Sequence, residues 1–130
     1  MKLSAAEIKK WVRIISDDYM RYTPEQYERI CAMANVFDFE IMPNEAGVIG
    51  WLVVEDFDCK KKMSVLLLYC KPEYRGHSFI PMLRRLEEIA EQEGVCEIIM
   101  GSSISGYKEE KINKILSRFG YCLSGYKKRL

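Results

Sequence analysis

Apolar residues recur at helical spacing in four stretches of the chain and at strand-like spacing in five others. Ile8, Trp11, Val12 and Ile15 follow Ser4, a ready N-cap, with Glu7 three residues on, so a first helix is expected to end near Asp18. Thr23-Pro-Glu-Gln marks a second helix start, with proline in the first turn and Tyr27, Ile30, Cys31 and Ala34 on the apolar face. Phe37, Phe39 and Ile41 alternate with Asp38 and Glu40, the period of a half-buried strand, and residues 43–47 form a turn. Residues 48–55 and 63–70 are β-rich runs joined by a charged tip, which makes a long hairpin.

The second of these runs, Val65-Leu-Leu-Leu-Tyr-Cys, is apolar at every position, as in a central strand covered on both faces. Ser78 can cap the next helix, which carries Phe79, Leu83, Leu86 and Ala90 on one stripe and stops at Gly94. A short strand over 95–100, a loop over 101–106, a helix over 108–119 and a last strand over 121–130 complete the chain. The order is α-α-β-β-β-α-β-α-β. It predicts an α/β fold with helices flanking a mixed, mostly antiparallel sheet, and one domain spanning residues 1–130.

Composition narrows the class. With 48% hydrophobic and 30% charged residues the chain can build a sizeable core, and a net charge of +1 argues against nucleic acid as a partner. Five widely spaced cysteines without a Cys-x-x-Cys pair argue against a disulfide framework and a zinc site, so no metal is expected. No apolar run reaches membrane-spanning length and the N-terminus lacks a signal-peptide core, so a cytoplasmic protein with no membrane partner is expected.

The chemistry concentrates where residues 65–70 run through Lys71-Pro-Glu-Tyr-Arg-Gly-His-Ser into a helix. A strand passing through a glycine-containing loop into a helix N-terminus offers backbone N–H groups to an anion, here those of Arg75 to Phe79. The only histidine, His77, lies in that loop and could pair with a phosphate.

The segment from Tyr69 to Leu83 resembles the acetyl-CoA motif of the GNAT N-acetyltransferase superfamily, a P-x-Y-R-G turn followed by Q/R-x-x-G-x-G/A at a helix start. Pro72, Tyr74, Arg75 and Gly76 match it, while Ser78 and Ile80 stand at its two small-residue positions. The Phe119-Gly-Tyr step before the last strand is also similar to the family's, and the element order agrees over nearly the whole chain. The resemblance implies a GNAT-like fold, in a compact and divergent member that could be of phage type and then reside in the host cytoplasm. It also implies acetyl-CoA as co-substrate, and a small-molecule or protein amine as acceptor.

On this resemblance Arg75, Gly76, His77, Ser78, Phe79 and Ile80 hold the pyrophosphate, and the main chain of Leu68 and Cys70 holds the pantetheine arm. Ser102 and Ser103 would contact pantetheine or acceptor. The tyrosine that serves the family as acid is replaced by Leu116, and the usual helix asparagine by Glu109, leaving Tyr107 and Tyr121 as candidate acids. Glu55 is the candidate base. Room for only one strand after Gly120 leaves a sheet edge that a homodimer could cover. Three readings stay open: an N-acetyltransferase acting by direct attack on the thioester, an inactive GNAT-like binding or virion-associated protein, and an α/β domain whose loop is only a turn.

Overall fold

A computed structural model describes residues 1–100, 109–122 and 128. Helix α1 (Ala5–Ile15) opens at Ser4, whose hydroxyl accepts from the Glu7 amide at 3.2 Å, and buries Ile8, Trp11, Val12 and Ile15. It does not simply end near Asp18. A π-helical turn, Ser16–Met20, follows it and closes on Arg21 in the left-handed region (φ 51°). Helix α2 (Pro24–Ala34) carries a complete capping box between Thr23 and Gln26.

Strands β1 (Asp38–Ile41), β2 (Gly47–Glu55) and β3 (Lys61–Cys70) form an antiparallel meander, and β4 (Glu97–Met100) joins β3 in parallel, giving the order β1-β2-β3-β4. Helix α3 (Phe79–Glu93) makes the crossover between β3 and β4, and α4 (Glu109–Arg118) follows. The mixed sheet and its flanking helices are those expected from the sequence. The last expected strand falls mostly outside the described residues.

The sheet separates two cores. Helices α3 and α4 cover one face, where Phe79, Met82, Leu83, Leu86 and Ile112 pack on Ile49, Trp51, Met63, Val65, Leu68 and Cys70. Helices α1 and α2 cover the other, with Trp11, Ile15 and Ala34 against Phe39, Val48 and Tyr69.

Strand β3 serves both cores through a bulge. Opposite the adjacent pair Gly50 and Trp51 stand Leu67 and Val65, so Leu66 has no partner across the ladder. The extra residue reverses the alternation. Met63 and Val65 face α3 and α4 below the bulge, and Leu68 and Cys70 face them above it. The β2–β3 ladder closes tightly at Gly47, where a Cβ would lie 2.2 Å from the Tyr69 carbonyl oxygen.

Candidate active site

At the end of β3 the Lys71 amide donates to the Ala46 carbonyl at 2.8 Å, and Pro72–Tyr74 then make one 3-10 turn. The amides of Arg75, His77 and Ser78 donate back to the carbonyls of Pro72 (3.4 Å) and Tyr74 (3.3 and 3.0 Å). The expected cradle of consecutive amides is therefore smaller than the sequence suggested, because a tight turn uses three of them. The amides of Gly76 and Ile80, both exposed residues, have no acceptor among the described residues.

Gly76 makes the strongest case for a ligand. Its φ lies outside the left-handed region, and no atom of the described residues lies within 4 Å of where a Cβ would be. The fold does not require glycine there. What glycine provides is unobstructed approach to the backbone.

Ser78 occupies the N-cap position, but its backbone is helical (φ −105°, ψ −14°) and its hydroxyl makes no capping bond. A cap acceptor needs an extended backbone to reach forward. Capping by Ser78 is thus corrected, and its hydroxyl is left over for another partner. Ile80 is 43% exposed, so its side chain lies at the surface, whereas Phe79 is buried in the α3 core.

The Arg75 side chain turns inward. Its Nε donates to the Cys70 carbonyl at 3.0 Å, its Nη2 to Asp18 Oδ2, and its guanidinium lies 5.6 Å from the Tyr69 ring centre. Asp18 Oδ2 also accepts from the Tyr69 hydroxyl at 2.9 Å, and Tyr19 stacks on Tyr69 at 6.2 Å. Burial pushes the Tyr19 hydroxyl up to about 12, and burial with the Asp18 hydrogen bond raises that of Tyr69. This cluster went unrecognised in the sequence, where Asp18 stands as a helix-end acid 57 positions from Arg75.

Leu68 and Cys70 are fully buried, and burial raises the Cys70 thiol, partly opposed by the Arg75 charge. A nucleophilic Cys70 would need the opposite shift. His77 is exposed, its ring 6.1 Å from that of Tyr74. It borders a groove of about 590 Å³ with Tyr74, Ser78, Met42, Pro81 and Arg85.

Strand, loop and helix thus bring together Leu68, Cys70, Arg75, Gly76, His77, Ser78, Phe79 and Ile80. Glu55 stands apart from them: it is exposed and pairs with Lys61 at the opposite end of β3 from Cys70, roughly 30 Å along the strand at its usual rise. Tyr121 follows α4, with a buried hydroxyl that has no partner among the described residues. Burial and then the Glu87 carboxylate push that hydroxyl up to about 12. Tyr107, Ser102 and Ser103 lie outside the described residues. Among those described, no helix is long and apolar enough to cross a membrane.

The architecture recurs in solved acetyltransferases. A putative acetyl transferase from Pyrococcus furiosus superposes with a TM-score of 0.73 at 21% identity, over 96% of this chain and 91% of that one. A ribosomal-protein-alanine N-acetyltransferase from Brucella melitensis gives 0.72 at 12% identity, over 100% and 98%. An aminoglycoside acetyltransferase from an uncultured soil metagenomic sample gives 0.70 at 12%, over 100% and 95%. No protein-family model matches the sequence, and no curated protein matches it. The likeness is one of fold: this chain has the GNAT-like fold that its loop and element order led us to expect.

Proposed function

We propose that this protein is an N-acetyltransferase that moves an acetyl group from acetyl-CoA to an amine. The observation that carries the reading is the loop at Gly76, where an amide without an acceptor among the described residues and an open approach stand three residues before a fifteen-residue helix. An anion there meets the positive end of the helix dipole and the amides of Gly76 and Ile80, with the Ser78 hydroxyl as a further donor. The exposed His77, next to Gly76 in the loop, is the side chain proposed to meet the phosphate oxygens.

The residues present fit the coenzyme. Its pyrophosphate falls to the loop and its pantetheine arm to the main chain of β3 between Leu66 and Cys70. When bound, acetyl-CoA supplies a thioester whose acetyl group passes to the amine nitrogen, with loss of the ammonium proton and release of the free thiol. The protein's part is to orient the amine, accept one proton and deliver another. Tyr121 is the phenol proposed to deliver that proton, which a tyrosine holds throughout the physiological range. Glu55, far along β3 from Cys70, stands too far from this region to receive the ammonium proton directly. The proposed setting is the cytoplasm.

One observation favours the second reading, a GNAT-like binding protein without catalysis. Leu116, at the family's acid position, is 9% exposed and committed to the α3–α4 core. Calorimetry with acetyl-CoA followed by thiol release over a panel of amines separates the two. Binding with release of thiol supports the enzyme, and binding without release supports the second reading. Absence of binding at millimolar acetyl-CoA overturns the enzyme reading.

A further inference from the structure

Between α1, α2 and the sheet lies a pocket of about 150 Å³, lined by Ile8, Trp11, Ile30, Ala34, Phe39 and Leu66 among others, almost all of it apolar. An apolar cavity of about that size accommodates a single benzene ring. Met33 and Leu66, 49% and 37% exposed, also line it and open it to the surface. Trp11 is 2% exposed, and its Nε1–H has no acceptor among the described residues. A buried indole N–H left without a partner costs stability, and a ligand oxygen or ring face could supply one.

The place of Leu66 connects this pocket to the proposed reaction. Leu66 is the bulged residue of β3, next to Val65, which makes the last described pair with β4. Strand β3 runs toward the loop, so an arm with its phosphates at Gly76 extends back past Cys70 and Leu68 toward Leu66. The acyl end of the arm and the mouth of the pocket then meet at one residue.

Resting on the acetyltransferase reading, we propose that this pocket binds the apolar side chain of the amine acceptor. The acceptor class is a primary amine bearing a branched aliphatic group or a single aromatic ring. Ethanolamine and aminosugars offer the pocket no apolar group to bury.

The test follows the Trp11 indole N–H by NMR in the full chain, assigned with Trp11→Phe, as phenethylamine or ethanolamine is added. A saturable shift with phenethylamine and none with ethanolamine is expected. Filling the pocket with Ala34→Leu should raise KM for phenethylamine roughly tenfold or more while leaving KM for acetyl-CoA unchanged. Met33→Trp at the exposed mouth makes the same test should Ala34→Leu fail to fold. Absence of an indole shift in the wild-type protein overturns the proposal, as does an unchanged KM in the filled variants. If calorimetry shows no acetyl-CoA binding, the acetyltransferase reading and the acceptor role fall together. A persisting indole shift would then identify the donor side as the part that failed.

Discussion

Asp18 and Arg75 meet across 57 positions of sequence, and the same carboxylate oxygen also receives the Tyr69 hydroxyl. The contact fastens the turn after α1 to the loop after β3. Both side chains are mostly covered, at 15% and 21% exposure. Arg75→Met would strand Asp18 beside Tyr69 without its cation. We expect a loss of about 2 kcal/mol, below the roughly 3–5 kcal/mol for a fully buried pair because some solvent still reaches this one. Urea unfolding measures it. A loss under about 0.5 kcal/mol would mean the pair behaves as an ordinary surface one.

Because Arg75 is structural in this way, the anion site is better probed at Gly76. The Cβ of Gly76→Asp meets no atom of the described residues within 4 Å, and the change needs no left-handed backbone. Its effect on stability should stay within about 0.5 kcal/mol, as for surface changes generally. A carboxylate placed there repels phosphate, so the Kd for acetyl-CoA should rise at least roughly tenfold. Calorimetry reads the second effect and thermal melting the first. Unchanged affinity with unchanged stability would remove the loop from the binding site.

The contrast between these two residues shows how far the sequence could be read. Local signals held: Ser4 and Thr23 start helices where their spacing to Glu7 and Gln26 placed them, and Gly94 ends one. The strand–loop–helix was legible because glycine and proline act on their immediate neighbours. The bulge was not, since a run of three leucines shows no alternation that could reveal a shift of phase at Leu66. Nor was the inward turn of Arg75, whose partners come from the turn after α1 and from β3's own end. Of the candidate site, the loop's composition could be read, but not which of its amides the turn would use.

The Tyr121 hydroxyl is buried without a partner among the described residues, an arrangement that costs stability. Tyr121→Phe should therefore leave the protein as stable or up to about 1 kcal/mol more stable, since it removes an unsatisfied group. If the hydroxyl delivers the proton to the departing thiolate, kcat should fall by about a hundredfold with KM for acetyl-CoA unchanged. An unaltered kcat would exclude it as the acid.

Thiol reactivity tests the packing at the end of β3. Cys59, Cys96 and Cys122 are exposed, whereas Cys70 is fully buried and its thiol is held above the ordinary range by burial. In the folded protein iodoacetamide should modify the exposed three at least roughly tenfold faster than Cys70, a raised pKa and lost access acting together. Peptide mass spectrometry follows each site, and urea should abolish the difference. Equal rates without urea would show that the junction between β3 and the loop opens.

Glu40 and Arg85 tie the edge strand β1 to α3 through two bonds, Arg85 Nε to Oε2 at 2.5 Å and Arg85 Nη2 to Oε1 at 2.8 Å. The hydrogen bonds from Arg85 hold the Glu40 carboxyl below the usual carboxylate range, against a smaller opposing effect of burial. The folded protein therefore releases this proton more readily than the unfolded chain does. The resulting stabilisation is fully present above the unfolded pKa and is lost as pH falls through the lowered one. Each partner is about a third exposed, which limits the pair to under about 1 kcal/mol. Glu40→Gln should accordingly be less stable than the wild-type chain at pH 7, and the two should converge in urea titrations near pH 3. A gap that persists undiminished in acid would trace the effect of Glu40 to packing against α3 and not to its charge.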